Sequence, residues 1–352
     1  MKKFKKIDRK FLLVFVLSLV MVSSCSDDFI DVDPTEENSE DFFNTEADYQ
    51  NALIGAYDML QSSFMNVLLG EIASDNTLCG GESATDTPGF QQVDDMIHTP
   101  VNTQLRDIWS WMFAGVNRAN YILEFQDKLD FEGKDIVLGQ ARFLRAYFYF
   151  ELVKWFGDVP LVVDQRILFG QQFEVDRTPK TEVYAQIEQD LIYATSVLPL
   201  VQADIGRVTK GAAQSLLGKV YLYQDKFSEA ANALENVINS GQYQLLTDDY
   251  ANMWENDYEN NMESVFEVQY TDVQGAGFGC FQCSEGNIAV GFNGIRNYSV
   301  EPGSVGDIFD SGYSFNVPTQ ETFDLYDDND IRRDVSILDM ETWAAEVGAT
   351  YV

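Results

Sequence analysis

Apolar residues recur at helical spacing along much of the chain. Between residues 45 and 62, Tyr49, Ala52, Leu53, Ala56, Tyr57 and Leu60 fall on one helical face. Thr45 with Asp48 three residues on forms a capping-box pattern at its start. Trp109, Met112, Phe113, Val116 and Leu123 predict a second helix. Residues 136–156 are apolar nearly all round, with Phe143, Leu144, Tyr147, Phe148, Phe150, Leu152 and Trp155. Arg142, Arg145, Glu151 and Lys154 interrupt that run, so it predicts a helix buried in protein rather than in lipid. Gly157 and Pro160 are its stop signals. Thr178-Pro179 predicts another helix start, with Pro at the first position and Val183, Ile187, Leu191 and Ala194 on one face. Trp109, Trp111 and Trp155 all read as core.

Residues 212–239 carry a more specific pattern. Leu217-Gly218 is followed by Tyr221 and then by Ala230, Leu234 and Val237, the spacing of a tetratricopeptide helix pair. Gly218 and Ala230 would let the helices approach, and Tyr221 and Leu234 would fill the seam. Leu234 stands where that repeat usually has Phe, and Gln214 where it has Trp; a chance helical hairpin is the plain alternative. Beyond residue 240 the texture changes. Residues 263–270 alternate apolar and polar like a short strand. Residues 271–318, rich in Gly, Asn, Ser and Pro, read as long loops, as does 74–106. Structureless loops of this length are uncommon and are usually functional.

The first residues are an address rather than part of the fold. Basic residues fill 2–10, and Phe11 to Val22 form an uncharged run of 12 residues. A span needs roughly 20, so the run reads as the apolar part of a signal peptide over residues 1–24. Val22-Ser23-Ser24-Cys25 resembles a lipobox, which predicts acylation of Cys25; an ordinary signal peptide with an incidental Cys is the alternative. Ser26, Asp27 and Asp28 follow, an acidic patch that resembles a surface-export signal of Bacteroidetes lipoproteins. The net charge of −34 becomes −39 without the leader, with 17 basic and 56 acidic groups. Such a polyanion repels phosphate backbones and anionic headgroups, which argues against a nucleic-acid or membrane-surface binder. Disorder is excluded because 45% of the residues are hydrophobic and 13% aromatic. The single histidine, His98, argues against a multi-histidine metal site.

Several stretches together resemble the SusD/RagB family, the lipoprotein partners of TonB-dependent glycan importers. They run in order from Asp31-Val32-Asp33-Pro34-Thr35 through Gly55-Ala56-Tyr57, Asn117-Arg118-Ala119-Asn120 and Ala141-Arg142-Phe143-Leu144-Arg145-Ala146-Tyr147. Gly157-Asp158-Val159-Pro160, Arg177-Thr178-Pro179, Gly206-Arg207-Val208-Thr209, Glu263-Ser264-Val265-Phe266-Glu267 and Asp330-Ile331-Arg332-Arg333 continue the match. The resemblance implies a mainly α fold on a tetratricopeptide-like scaffold, with long irregular loops and short strands carrying the glycan site. It implies a cell-surface lipoprotein at the extracellular face of the outer membrane that captures an oligosaccharide. It also implies a partner, a SusC-like TonB-dependent transporter on which the protein acts as a lid. Residues 25–352 would form that domain, with the scaffold to about 270 and the loop-rich region at 271–318. The family usually continues past the Asp-x-x-Arg region, so the chain is expected to lack a C-terminal helical segment.

Glycan sites stack aromatic faces on sugar rings and bond hydroxyls with amides, carboxylates and Arg. In the first loop Asp75, Asn76, Phe90, Gln91, His98 and Asn102 are the candidates; in the second, Phe278, Phe281, Phe292, Arg296, Asn297 and Tyr298. These rest on position and chemistry alone, and packing beneath a loop is the competing role for each aromatic. The charge predicts a neutral glycan over sulfated or uronate-rich ones, unless Arg296 and its neighbours make a basic patch. Cys280-Phe281-Gln282-Cys283 leaves a loop disulfide, free thiols or a metal open; a zinc site would need further ligands, with only Cys79 and the distant His98 available. Asp327-Asp328-Asn329-Asp330 fails as a calcium loop, since Arg332 and Leu338 stand where Gly and Glu belong. No cofactor and no enzyme is implied: serine-elbow, phosphate-loop and dinucleotide motifs are absent from the sequence. A glycoside hydrolase remains an alternative, because 56 carboxylates will place some pair at a productive separation by chance. A tetratricopeptide adaptor or a peptide-uptake protein is another.

Overall fold

In the computed structural model the described residues are 42–163, 165–168, 175–247, 249–271, 282, 286, 288–307 and 311–351. The leader, Cys25, Cys280, Cys283, Phe278 and Phe281 lie outside them. The chain divides after Asn44, and the fold described is that of the unit from Thr45 onward.

Helix α1 (Glu46–Asp58) begins as expected: the Thr45 hydroxyl accepts from the Asp48 amide at 3.3 Å, and the Asp48 carboxylate accepts from the Thr45 amide at 2.8 Å. Its apolar face buries Tyr49, Leu53 and Ala56. A 3-10 turn, Met59–Ser63, takes up Leu60, and α2 (Phe64–Ile72) follows at once. After α3 (Pro88–Asp94) come the long helices α4 (Thr103–Glu124) and α5 (Lys134–Phe156), then α6 (Lys180–Val197), α7 (Lys210–Leu222) and α8 (Phe227–Ile238). Each from α4 to α8 packs on the next, and α1 rests on α4 and α5. This serial packing is the habit of helical repeats.

Helix α5 is buried on nearly every side, and stops at Gly157 with φ +68°. Its charges are matched in the interior. Arg145, 3% exposed, grips the wholly buried Asp190 of α6 through Nε at 2.8 Å and Nη2 at 2.7 Å, while Nη1 donates to Asn120 Oδ1 and to the Val163 carbonyl. Removing one partner of such a pair costs about 3–5 kcal/mol, because the other charge stays buried. Asn120 and Tyr149 also hold the Val162 carbonyl, and Asn117 bonds both backbone groups of Ile167, so the segment after α5 is strapped back onto α4 and α5. Tyr57 joins α1 to α5 by donating to Gln140 Oε1 at 2.7 Å while its hydroxyl accepts from the Val208 amide at 2.9 Å.

The α7–α8 pair has the predicted close seam. A Cβ on Gly218 would lie 2.7 Å from Leu234 Cδ2, and Ala230 is 1% exposed. Gly115 similarly admits the ring of Phe148.

Four expectations are corrected. Pro179 is the N-cap residue of α6 rather than its first helical residue, because Thr178 is still extended and bridged to Val159. Residues 263–270 form no strand ladder: Asn260 and Gln269 exchange side-chain hydrogen bonds, Glu263 accepts from the Leu246 amide, and the Tyr270 hydroxyl donates to the Gln61 carbonyl. The segment 74–106 is not wholly irregular, since it holds α3 and the start of α4. Trp109, Trp111 and Trp155 are half-buried rather than core.

Candidate functional site

The two loop regions are brought together over α2. Strand β1 (Thr77–Leu78) pairs antiparallel with β3 (Val317–Pro318), in the register Thr77 with Pro318 and Leu78 with Val317. Thr319 extends this seam, its amide donating to the Asn76 carbonyl at 2.9 Å and its hydroxyl to the Asp75 carbonyl at 3.3 Å. Asp75 and Asn76 thus serve through their backbones, with exposed side chains. A second ribbon joins β2 (Tyr298–Ser299) to β4 (Thr350–Tyr351), beside the helix Met340–Val347, whose Trp343 meets Tyr298 edge-on at 5.8 Å.

Between the loops lies an aromatic cluster. Phe90 of α3 and Phe292 of α9 (Ala289–Asn293) are 5.8 Å apart, each packs on Phe315, and Phe292 stacks on Phe64 of α2 at 6.0 Å. Phe90 and Phe292 are each 3% exposed, so neither presents a face for a sugar ring; they are the packing that joins the loops. Asn102 is also buried: its Oδ1 caps α4 through the amides of Gln104 and Leu105, and its Nδ2 donates to the Gly89 carbonyl. Gln91 braces the first loop by donating to the carbonyls of Cys79 and Gly80. Loop residues are pinned this way because a chain without helix or sheet must satisfy its backbone with side chains.

Arg296 makes no basic patch. Its guanidinium bonds Asp86 and Glu82, each at 2.8 Å, and sits 5.9 Å from the Phe315 centroid. The Asp86 carboxyl is held below its ordinary range, first by the Glu82 backbone N–H and also by the Arg296 charge. Burial pushes the Cys79 thiol up to about 12, helped by the nearby carboxylates of Asp94, Asp86 and Asp95. His98 and Asn297 are exposed, Asn297 with φ +55°. His98 stands apart, in a turn with exposed Met96, Ile97 and Val101.

Where the second loop region meets the scaffold there is a cleft of about 470 Å³. Phe64, Val67 and Glu71 of α2 form one side, Glu259, Gln269 and Tyr270 another, and Phe292, Asn293 and Asn316 a third. An apolar floor with carboxylates and amides around it suits a polyhydroxyl ligand. Only Phe292 of these was a sequence candidate. Helix α2 carries no cap or stop motif that marks it, and Glu259 and Asn316 become neighbours only through the fold. Among the described residues no group of His, Cys, Asp and Glu is arranged to hold a metal ion, and no helix is long and apolar enough to cross a membrane.

The sequence model of a SusD-like family, described as "Starch-binding associating with outer membrane", matches residues 28–222. The chain belongs to this SusD-like family. Among curated relatives, SusD-like protein P2 of Formosa agariphila is 28% identical over 350 residues, 94% of this chain but 64% of the relative. Among solved structures, a laminarin-binding SusD-like protein superposes with a TM-score of 0.78 at 32% identity, covering 88% of this chain and 70% of that one. Surface glycan-binding protein A from Bacteroides fluxus gives 0.76 at 27% identity, over 88% and 66% of the two chains. The chain therefore spans somewhat under two thirds of the length of the curated relatives it matches. The mainly α, tetratricopeptide-like scaffold is that of these SusD-like structures, and none of these relatives carries an enzyme's name.

Proposed function

We propose that this protein captures an oligosaccharide at the cell surface and delivers it to a SusC-like TonB-dependent transporter, for which it acts as a lid. Acylation of Cys25 would anchor it to the outer membrane, with the binding face outward. The observation that carries the capture reading is the cleft between α2, residues 259–270 and the second loop region, apolar at its base and ringed by Glu71, Glu259, Gln269, Asn293 and Asn316. Two structural relatives named for laminarin binding and surface glycan binding support the ligand class. The charge of the chain favours a neutral glycan over sulfated or uronate-rich ones.

Titration calorimetry with laminarihexaose and other neutral oligosaccharides, paired with a reducing-end assay, tests this. Saturable binding without release of new reducing ends is expected. Turnover would make the protein a hydrolase. No binding to any oligosaccharide, neutral or amine-bearing, would overturn capture and favour an adaptor or peptide-uptake protein.

A further inference from the structure

Apart from the exposed Asn293 amide, whose Oδ1 accepts from Asn316, the open side-chain polar groups of the cleft among the described residues are acceptors. Asn316 is 8% exposed and spends its Nδ2 on Glu71 Oε2 and on Asn293 Oδ1 at 2.8 Å, which leaves its own buried Oδ1 without a hydrogen-bond partner. A buried carbonyl oxygen without a donor is unfavourable and is satisfied best by a ligand that brings one. Glu71 is exposed and uses only one oxygen on Asn316, and the exposed Glu259 carboxylate makes no hydrogen bond among the described residues. Glu267, by contrast, is occupied by the Ser264 hydroxyl and the Asn260 amide.

Among the described residues no cation lines the cleft to balance these carboxylates. The sequence explains why. From Phe227 to Ile295 there is no Lys, Arg or His, against eleven Asp and Glu, and the stretch from Phe11 to Ile97, which includes α2, is equally free of bases. Arg296, next along the chain, is neutralised by Glu82 and Asp86. Arg207, whose neighbour Gly206 touches Gln269, turns its guanidinium onto the Tyr57 ring at 5.1 Å.

We propose that this cleft selects a sugar carrying a protonated amine over its N-acetylated and carboxylated counterparts, with the ammonium donating to Glu71, Glu259 and Asn316 Oδ1. An ammonium offers three donors and no acceptor, which matches a wall made mostly of acceptors; the carboxylate of a uronate offers the reverse. The inference rests on the reading that the cleft takes an oligosaccharide.

The test titrates the full chain, at mildly acidic pH, with four oligosaccharides of equal length: a β-linked glucosamine hexasaccharide, its N-acetylated form, a neutral β-glucan and an oligouronate. The amine should bind tightest, about fivefold above its acetylated form, as expected for a partly exposed ion pair, and the uronate weakest. Glu71→Gln and Glu259→Gln should each reduce the ratio of the amine to the acetyl affinity. Glu235→Gln, on the exposed face of α8, is the control for net charge, and the ratio should survive it. Equal or weaker binding of the amine, a preference that survives both cleft variants, or one lost equally in Glu235→Gln overturns the proposal. If the neutral glucan binds and the amine has no advantage, the selectivity falls and glycan capture stands. If none of the four binds, both fall.

Discussion

At the scale of single residues, several side chains that suggested ligand contact hold the loops together instead. Phe90, Phe292 and Asn102 are polar-loop residues by neighbourhood yet buried by contact, because rings and amides are what a loop has available to pack and to cap with. Arg296 is the clearest case: its charge is matched twice over by Glu82 and Asp86. This makes a pH prediction. A carboxyl held below its ordinary 3.8 in the folded state contributes stability that is full above that value and is lost as pH falls toward the depressed one. Asp86→Asn should therefore cost stability at neutral pH and progressively less as pH drops below about 4. Arg296→Met should leave much of that pH dependence, because the Glu82 amide, the larger cause, remains. Denaturant unfolding across a pH series reads both; a difference between wild type and Asp86→Asn that does not shrink in acid would contradict the assignment.

At the scale of elements, the long helices follow their periodicity closely, and the close approaches between them rest on the smallest residues. Gly218 is the sharpest, since Leu234 of α8 fills the space a side chain would need. Gly218→Leu should destabilise the chain by about 1–3 kcal/mol, seen as a lower denaturation midpoint with an unchanged slope. An unchanged midpoint would mean that the α7–α8 seam is looser than described. The short elements behave differently. Strands β1 and β3 are two residues each and carry no alternation that could mark them. They exist because α2 ends beside the point where residues 311–318 return, and each supplies the other with backbone partners.

At the scale of the whole molecule, the charge decides what stays away. With 57 acidic and 23 basic residues the protein should pass through immobilised heparin or duplex DNA at low ionic strength, where cation-driven binding is strongest. Retention that salt abolishes would reveal a local basic face. Arg296 is not one, and Arg142, Arg145 and Arg166 are already committed to Asp190 and Glu124. These arginines are spent on pairs, while Glu71 and Glu259 are left exposed around the cleft.

The long helices, the capping box at Thr45, the Gly218 seam and the SusD-like family were legible in the sequence, because a helix encodes its own partners at spacings of three and four. The two loop regions were also legible as the place where function would sit, from their length and composition. What tertiary structure alone decided is which of their residues face inward and which walls make the cleft. Phe90 meets Phe292 across some two hundred residues of chain, and Glu71 meets Asn316 across 245. No local period reports such contacts. They are fixed by where the scaffold releases each loop and by the need of unpaired backbone and apolar rings to find partners at that point.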